Sequence, residues 1–450
     1  MPLLTRRFTA SLFRAIPVGL RQVALIQTRL PHWTKSNLRA MASSPSHPAA
    51  SGGESPPDPD ADQTQPDQPE AKRMKLCPPL DDTVVGNEDA NGSNPPTAAK
   101  VYRKKCALLL SYSGKDYKGM QRNPGVKTIE EDLIQALYAA GAITEEMRDN
   151  LGKLSFQRCA RTDKGVSAAR QLVSLKMVSR EEMVEAINTH LPSDIHVMNL
   201  FRTTKGFNSK DWCSARSYEY LIPTYAFAHS LEDLNHKYRM SPETMVRVNK
   251  LLGVYKGTHN FHNFTSGKRP GDPSCMRYII DFACEPPQVR EGIEYAALCV
   301  KGQSFMLHQI RKMIGLVIAV MRGYAKEEII ERSLQKEKLN IPRAPGLYLI
   351  LDNVHFERYN RKFGEDGVHK PLEWSAAEER IREFKDSVIY LHIHSTELHS
   401  SPMAEWLASL NIHDFVDTDS VPLLPAATTS CSAEQSTQST ASPQEGEQEE

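Results

Sequence analysis

Cysteine is scarce, with eight residues in 450 and no two of them spaced Cys-x-x-Cys, so neither a disulfide framework nor a common zinc motif is present. His259, His262, Cys275 and Cys284 come closest to a metal set, and their spacing matches no usual one. Long apolar runs are missing too. The best helix-like stretch, Phe305 to Met321, is interrupted by His308, Gln309, Arg311 and Lys312, whereas a hydrocarbon layer of ~30 Å needs about 20 apolar residues in succession. A membrane-spanning protein is not expected. The chain also lacks a Gly-x-x-x-x-Gly-Lys-[Ser/Thr] loop and a dinucleotide fingerprint, which leaves nucleotide-driven and hydride chemistry without support.

Net charge is absent only in total, because 55 basic residues balance 55 acidic ones. Residues 1–50 carry 7 basic and no acidic side chains, 51–100 carry 4 and 10, 101–400 carry 44 and 36, and 401–450 carry none and 9. A basic body of this kind points to a polyanionic partner. Residues 1–40 set seven Arg and Lys among Leu, Phe, Ile, Val, Ser and Thr without one acid, the composition of a mitochondrial transit segment or of a basic arm that touches nucleic acid. A second methionine, Met41, would give a product lacking that arm, and so two locations from one gene. Residues 41–100 are rich in Pro, Ser, Asp and Gln and are expected to be disordered, with a short basic cluster at 72–75 of the nuclear-import type. The acidic, low-complexity tail 416–450 is expected to be disordered as well.

Between about residues 101 and 400, strand-like and helix-like segments alternate. Cys106 to Tyr112 is a short apolar run, as expected of a strand covered on both faces. Thr128-Ile-Glu-Glu131 is a capping box, after which Ile129, Leu133, Ala136, Leu137 and Ala140 share one helical stripe. Strands are expected at Leu154 to Cys159 and Gln171 to Val178, and a second box, Ser179-Arg-Glu-Glu182, should open another helix. Ile195 to Phe201 and Ser217 to Ile222 read as extended, and Ser241-Pro242 starts a helix reaching about Leu252. Strands at Tyr278 to Cys284 and Glu294 to Val300 precede a long helix from about Ser304 and a shorter one around Glu327 to Leu334, with a last strand at Leu347 to Phe356. This alternation predicts an α+β or α/β body, 101–400, in two similar lobes of about 101–215 and 216–400.

Three stretches could carry chemistry. In Cys159-Ala-Arg-Thr-Asp-Lys-Gly-Val-Ser-Ala168, Asp163 sits on a tight loop between two strand-like runs, where it is either an ordinary turn residue or a carboxylate facing a cleft. Its neighbours Arg161 and Lys164 would favour the charged form that a nucleophile or base requires. In Gly302 to Gly315, Arg311 projects from a mostly apolar helix, either to snorkel to water or to meet a buried acid. In Arg216-Ser-Tyr-Glu-Tyr220, Tyr218 and Tyr220 fall on one strand face, suited to lining a pocket or to filling a core.

Together these stretches resemble the tRNA pseudouridine synthase A (TruA) family, and most closely its eukaryotic pseudouridylate synthase 1 branch. The resemblance runs from about Lys105 to Phe356 and rests on six motifs in family order: Leu110 to Asn123, Ala160 to Ala168, Asn188 to Ile195, Arg216 to Tyr220, Gly257 to Phe261 and Ser304 to Arg311. It implies a TruA-like pseudouridine synthase fold, a mixed sheet from two ferredoxin-like halves with helices on one side and a basic cleft on the other. It implies isomerisation of uridine to pseudouridine in tRNA, and in mRNA or other structured RNA, without nucleotide, metal or redox cofactor. By the same resemblance Asp163 stands at the essential aspartate, Tyr218 at the tyrosine that stacks on the target base, Arg311 at the partner of the aspartate and Arg161 at an arginine that holds the flipped nucleotide. Lys164, Arg122, Lys118 and Lys210 would bind phosphates. Lys164 and Ser167 depart from the common bacterial residues, which bears on RNA choice rather than on chemistry. The active unit is expected to be a monomer. The competing reading is a catalytically silent RNA-binding or RNA-chaperone module on the same fold.

Overall fold

The computed structural model describes residues 102–230 and 232–415. The transit segment 1–40, the 41–100 segment with its 72–75 cluster and the 416–450 tail lie outside the described residues.

Ten strands join in one sheet: β1 (Lys104–Tyr112), β2 (Gln157–Arg158), β3 (Ser167–Met177), β4 (Ile195–Arg202), β5 (Ala215–Pro223), β6 (Gly257–Asn260), β7 (Met276–Cys284), β8 (Gln288–Arg290), β9 (Ile293–Gly302) and β10 (Leu349–His355). Their order is β4-β1-β3-β10-β5-β9-β7-β6, with β2 also on β3 and β8 on β9. Two copies of one pattern are visible in it. The first half runs β1, helix Ile129–Ala139, β2, β3, helix Met183–Asn188, β4; the second runs β5, helix Pro242–Gly253, β7, β9, helix Gln309–Met321, β10. Each has the order last, first, third, second across the sheet, which is the ferredoxin-like arrangement. The fold is α+β, and the two halves are joined in one continuous sheet, where β3 of the first is hydrogen-bonded to β10 of the second.

The halves meet at the sheet's parallel pairing, Ile350 with Ser167 and Leu351 with Ala168; the other pairings are antiparallel. Lower on the same edge of β3, β2 takes over through Gln157 with Ser174 and Arg158 with Val173. The loops before β3 and before β10 therefore emerge side by side at the seam.

Local chemistry accounts for most element starts. After its first residue β1 is buried throughout, as a strand covered on both faces must be. Thr128 caps the Ile129–Ala139 helix by accepting the Glu131 amide, and Ser241 does the same for the Thr244 amide. Three expectations need correction. Ser179 caps nothing: the helix starts at Met183, because the preceding backbone is tied to the end of the first helix through the Val178 amide on the Ala142 carbonyl and Arg180 on the Ala140 carbonyl. Leu154 ends a short helix, Leu151–Leu154, and only Gln157–Arg158 pairs as strand. The long helix starts at Gln309 rather than near Ser304, because the Gln309 side chain accepts the Met306 amide at 2.8 Å and His308 adopts a left-handed φ of 65°.

Helices beyond β10 were not foreseen. Helices Glu357–Phe363, Glu378–Phe384, Leu391–Ser400 and Pro402–Leu410 follow β10, and this segment is tied to the second half of the sheet by buried polar contacts. Lys385 meets Glu219 of β5 at 2.6 Å and Asp352 of β10 at 2.7 Å, and Glu397, fully buried, accepts from Tyr225 and Tyr348. Removing one member of such a buried network is costly, because it leaves its partners unpaired.

Gly315 lets the Gln309–Met321 helix lie directly on the segment leading to β10, since a Cβ there would sit 2.3 Å from the Pro342 carbonyl oxygen. Gly315→Ala should force the two apart, lowering stability by roughly 1–3 kcal/mol in a denaturant melt.

Candidate active site

Asp163 is placed by a β-turn. The Val166 amide donates to the Asp163 carbonyl at 3.1 Å, and Gly165 supplies the φ of +76° that the third turn position demands. The rest of the loop is pinned from three directions. The Met120 amide donates to the Thr162 carbonyl at 3.1 Å, and the Thr162 hydroxyl pairs with the Tyr112 hydroxyl at 2.8 Å. Arg216, at the start of β5, donates twice to the Cys159 carbonyl (3.1 and 2.7 Å) and once to the Gln303 carbonyl (3.0 Å).

Across the seam, Arg311 stands in the first turn of its helix. Its Nε donates to the Ala344 carbonyl at 2.7 Å, which aims the guanidinium, and its Nη1 meets Asp163 Oδ2 at 3.4 Å. Asp163 keeps only 20% of its side chain exposed and Arg311 12%, so the pair is poorly screened by water. The snorkelling alternative for Arg311 is thus not what the structure adopts. Tyr218 opposes Leu351 of β10 and Val300 of β9, lines the same cleft and packs edge-on against Phe305 with ring centres 5.2 Å apart. Burial pushes its phenol well above the usual tyrosine range. Tyr220, on the same face, is core instead: fully buried, it donates to the Pro345 carbonyl at 3.0 Å.

The cleft encloses about 670 Å³, within the range of pockets for small organic groups. Among the described residues that line it there is one carboxylate, Asp163, against Arg158, Arg161, Lys210, Arg216, Arg277 and Arg311. Such a cavity draws in a polyanion and brings it to a single acid. Of the expected site residues, Asp163, Tyr218, Arg311, Arg161 and Lys210 all reach this cleft. Lys164 is exposed on the turn itself and Lys118 on the adjoining loop. Arg122 is turned to Glu131 at 2.5 Å and to the Arg148 carbonyl at 2.8 Å.

Sequence reasoning missed His308, whose Nε2 lies 3.6 Å from Asp163 Oδ2. Its closeness in sequence to Arg311 was a usable signal, obscured by extending the helix through it. Phe305, read as the start of the helix-like stretch, precedes the helix and forms the cleft wall against Tyr218.

With this geometry in view, comparison with known proteins is decisive. The tRNA pseudouridine synthase family model matches residues 253–357. The pseudouridylate synthase 1 homologue of Homo sapiens is 56% identical over 69% of this chain and 74% of its own length, and that of Mus musculus is 54% identical over 74% and 79%. The chain belongs to the tRNA pseudouridine synthase family. The tRNA pseudouridine synthase 1 of Yarrowia lipolytica is 35% identical over 66% of this chain and 72% of its own length, so the likeness extends well beyond vertebrates.

Arg216 holds the carbonyl of Cys159 and, through it, the run to Asp163. Arg216→Met keeps bulk but loses all three donors, so amides 159–164 should exchange with deuterium faster than in wild type while the rest of the sheet stays protected.

Proposed function

We propose that the protein is an isomerase (an intramolecular transferase) that converts specific uridines of tRNA to pseudouridine, with Asp163 as its catalytic residue. The observation that carries the reading is the Asp163–Arg311 pair set beside Tyr218 in a cleft otherwise lined by cations. The reaction breaks the C1′–N1 bond of uridine and joins C1′ to C5; a proton leaves C5 and one is taken up at N1. Atoms and electrons balance within the nucleotide and water, so the chemistry calls for no donated group.

A stacked base is out of reach of any side chain, so the uridine must be extruded at a cost of a few kcal/mol. Arg161, exposed on the rim, holds the opened strand, and the face of Tyr218 receives the base. The Asp163 carboxylate then acts at the sugar, as nucleophile at a carbon or as base on a sugar proton. Arg311, anchored by the Ala344 carbonyl, keeps the carboxylate aimed and compensates its charge in a site of low dielectric. Lys210 and Arg277 lie along the cleft for phosphates, with Lys164 and Lys118 on the surface beyond it, so affinity falls as salt rises. The same features would serve mRNA and other structured RNA, and a single copy of the chain presents every residue named. Residues 1–40 would direct one product to the mitochondrion, and initiation at Met41 would give a nuclear form carrying the 72–75 cluster.

Asp163→Asn preserves shape and removes charge. Pseudouridine formation in tRNA should fall at least roughly 1,000-fold with binding retained; unchanged turnover would remove Asp163 from the chemistry, and a wild type that binds tRNA without isomerising it would establish the silent module. Arg311→Lys keeps charge but loses the planar fork that reaches both Ala344 and Asp163, so kcat should drop on the order of 100-fold with tRNA affinity little changed. Residues 1–40 fused to a reporter should carry it into mitochondria, and a cytosolic reporter would refute that role.

A further inference from the structure

Resting on the isomerase reading, one step of the reaction still lacks a residue. Once C5 is joined to C1′ it still bears its hydrogen, and the uracil ring regains its double bond only when that proton leaves. The acceptor must lie close to the group acting on the sugar, because C5 is then bonded to C1′.

Few groups in the cleft can accept a proton near neutral pH. Six lining side chains are Arg or Lys. Tyr218 is buried and its phenol holds its proton far above the usual range, and burial does the same to the Cys159 thiol. Asp163 is engaged at the sugar. His308 remains, with Nε2 3.6 Å from Asp163 Oδ2. Its ring is faced by Asp163, Arg311, Lys312 and Arg343. Arg343 Nη1 lies 3.2 Å from Nδ1 and 3.1 Å from Nε2. A guanidinium beside the ring disfavours the charged imidazolium and so favours the neutral form that can accept a proton. Burial moves this histidine below its usual range, in the same direction.

The backbone adds a second observation. His308 holds a φ of 65°, a conformation uncommon outside glycine and costly by about 1–3 kcal/mol. A helix continued from Ser304 would have avoided that strain, yet the chain breaks there and delivers the imidazole to the carboxylate.

We propose that His308 is the general base that removes the C5 proton. The C5–H electron pair re-forms the ring double bond, the imidazole nitrogen takes the proton, N1 takes one from water, and the imidazolium returns its proton to solvent. No oxidant, reductant or second substrate enters.

The left-handed backbone selects the test variants. Glycine is at ease at this φ and asparagine tolerates it, so His308→Gly and His308→Asn should fold at least as well as wild type. With tRNA carrying tritium at C5 of uridine, single-turnover tritium release should fall on the order of 100-fold in both, with tRNA affinity unchanged. Imidazole added to His308→Gly should restore release, and 5-deuterouridine should slow the variants by a primary isotope effect larger than that of wild type. Wild type should lose rate only as pH falls below the ordinary histidine range, because burial lowers the His308 pKa and only the neutral ring accepts a proton, and His308→Asn should lack that limb. Tritium release at the wild-type rate, or a loss with neither imidazole rescue nor an enlarged isotope effect, overturns the proposal. Wild-type protein that releases no tritium and forms no pseudouridine overturns the isomerase reading itself.

Discussion

The structure is organised around one ion pair that spans its seam. Asp163 arrives on the loop before β3 and Arg311 on the helix before β10, and they meet because β3 and β10 are paired in parallel from Ser167–Ile350 onward. Parallel pairing sets two strand beginnings at the same end of the sheet, so the loops that precede them share one cleft. Duplicating a ferredoxin-like unit and abutting β3 against β10 thus creates a site that neither half contains. Behind the sheet the seam is crossed by Arg170 of β3, which donates to the Asp352 carbonyl of β10 at 2.9 Å and to Glu378 at 2.5 Å, while Lys385 ties Glu219 to Asp352 within the second half and Glu397 gathers Tyr225 and Tyr348.

Rigidity in the site comes from the main chain more than from side-chain pairs. Arg216, Arg311 and the Met120 amide all spend hydrogen bonds on carbonyls of the loops they position, at 2.7 to 3.1 Å. A carbonyl does not titrate, so these anchors stay in place as charges on the RNA and in the cleft change. The lone carboxylate is then held by geometry while its guanidinium partner retains donors for a substrate, the preorganisation that electrostatic catalysis requires.

How far the sequence carries the reader depends on the range of the interaction. The capped helices at Thr128 and Ser241, the buried β1 and the Tyr218–Tyr220 face were legible because each is fixed by residues a few positions apart. Asp163 and Arg311 were legible as members of motifs, but their meeting, 148 positions apart in the chain, follows from strand order and from nothing local. His308 was hidden by the same apolar periodicity that made its helix recognisable: Phe305 to Met321 reads as continuous, and only the Gln309 side chain on the Met306 amide tells where the helix truly begins. The failed Ser179 box is the converse case, a correct local signal overridden by the Val178 amide on the Ala142 carbonyl. The C-terminal helices eluded reading because their polar residues, Glu397 above all, are buried by partners from distant strands.

Charge shows why whole-chain totals mislead. The chain sums to zero, yet six cations face one acid inside a single cleft. Left to themselves such cations would repel and splay. Here Arg158 is neutralised by the buried Glu130, Arg216 is bound to two carbonyls, Arg277 to the Met276 carbonyl and Arg311 to that of Ala344. Each is held in place by its partner, so the positive field exists before RNA arrives and costs no rearrangement when it does. A phosphate backbone entering this field displaces no internal partner of Asp163. Among the described cleft cations Arg311 is the one that also pairs with Asp163, so salt screens the exposed charges of the cleft more than this half-buried pair.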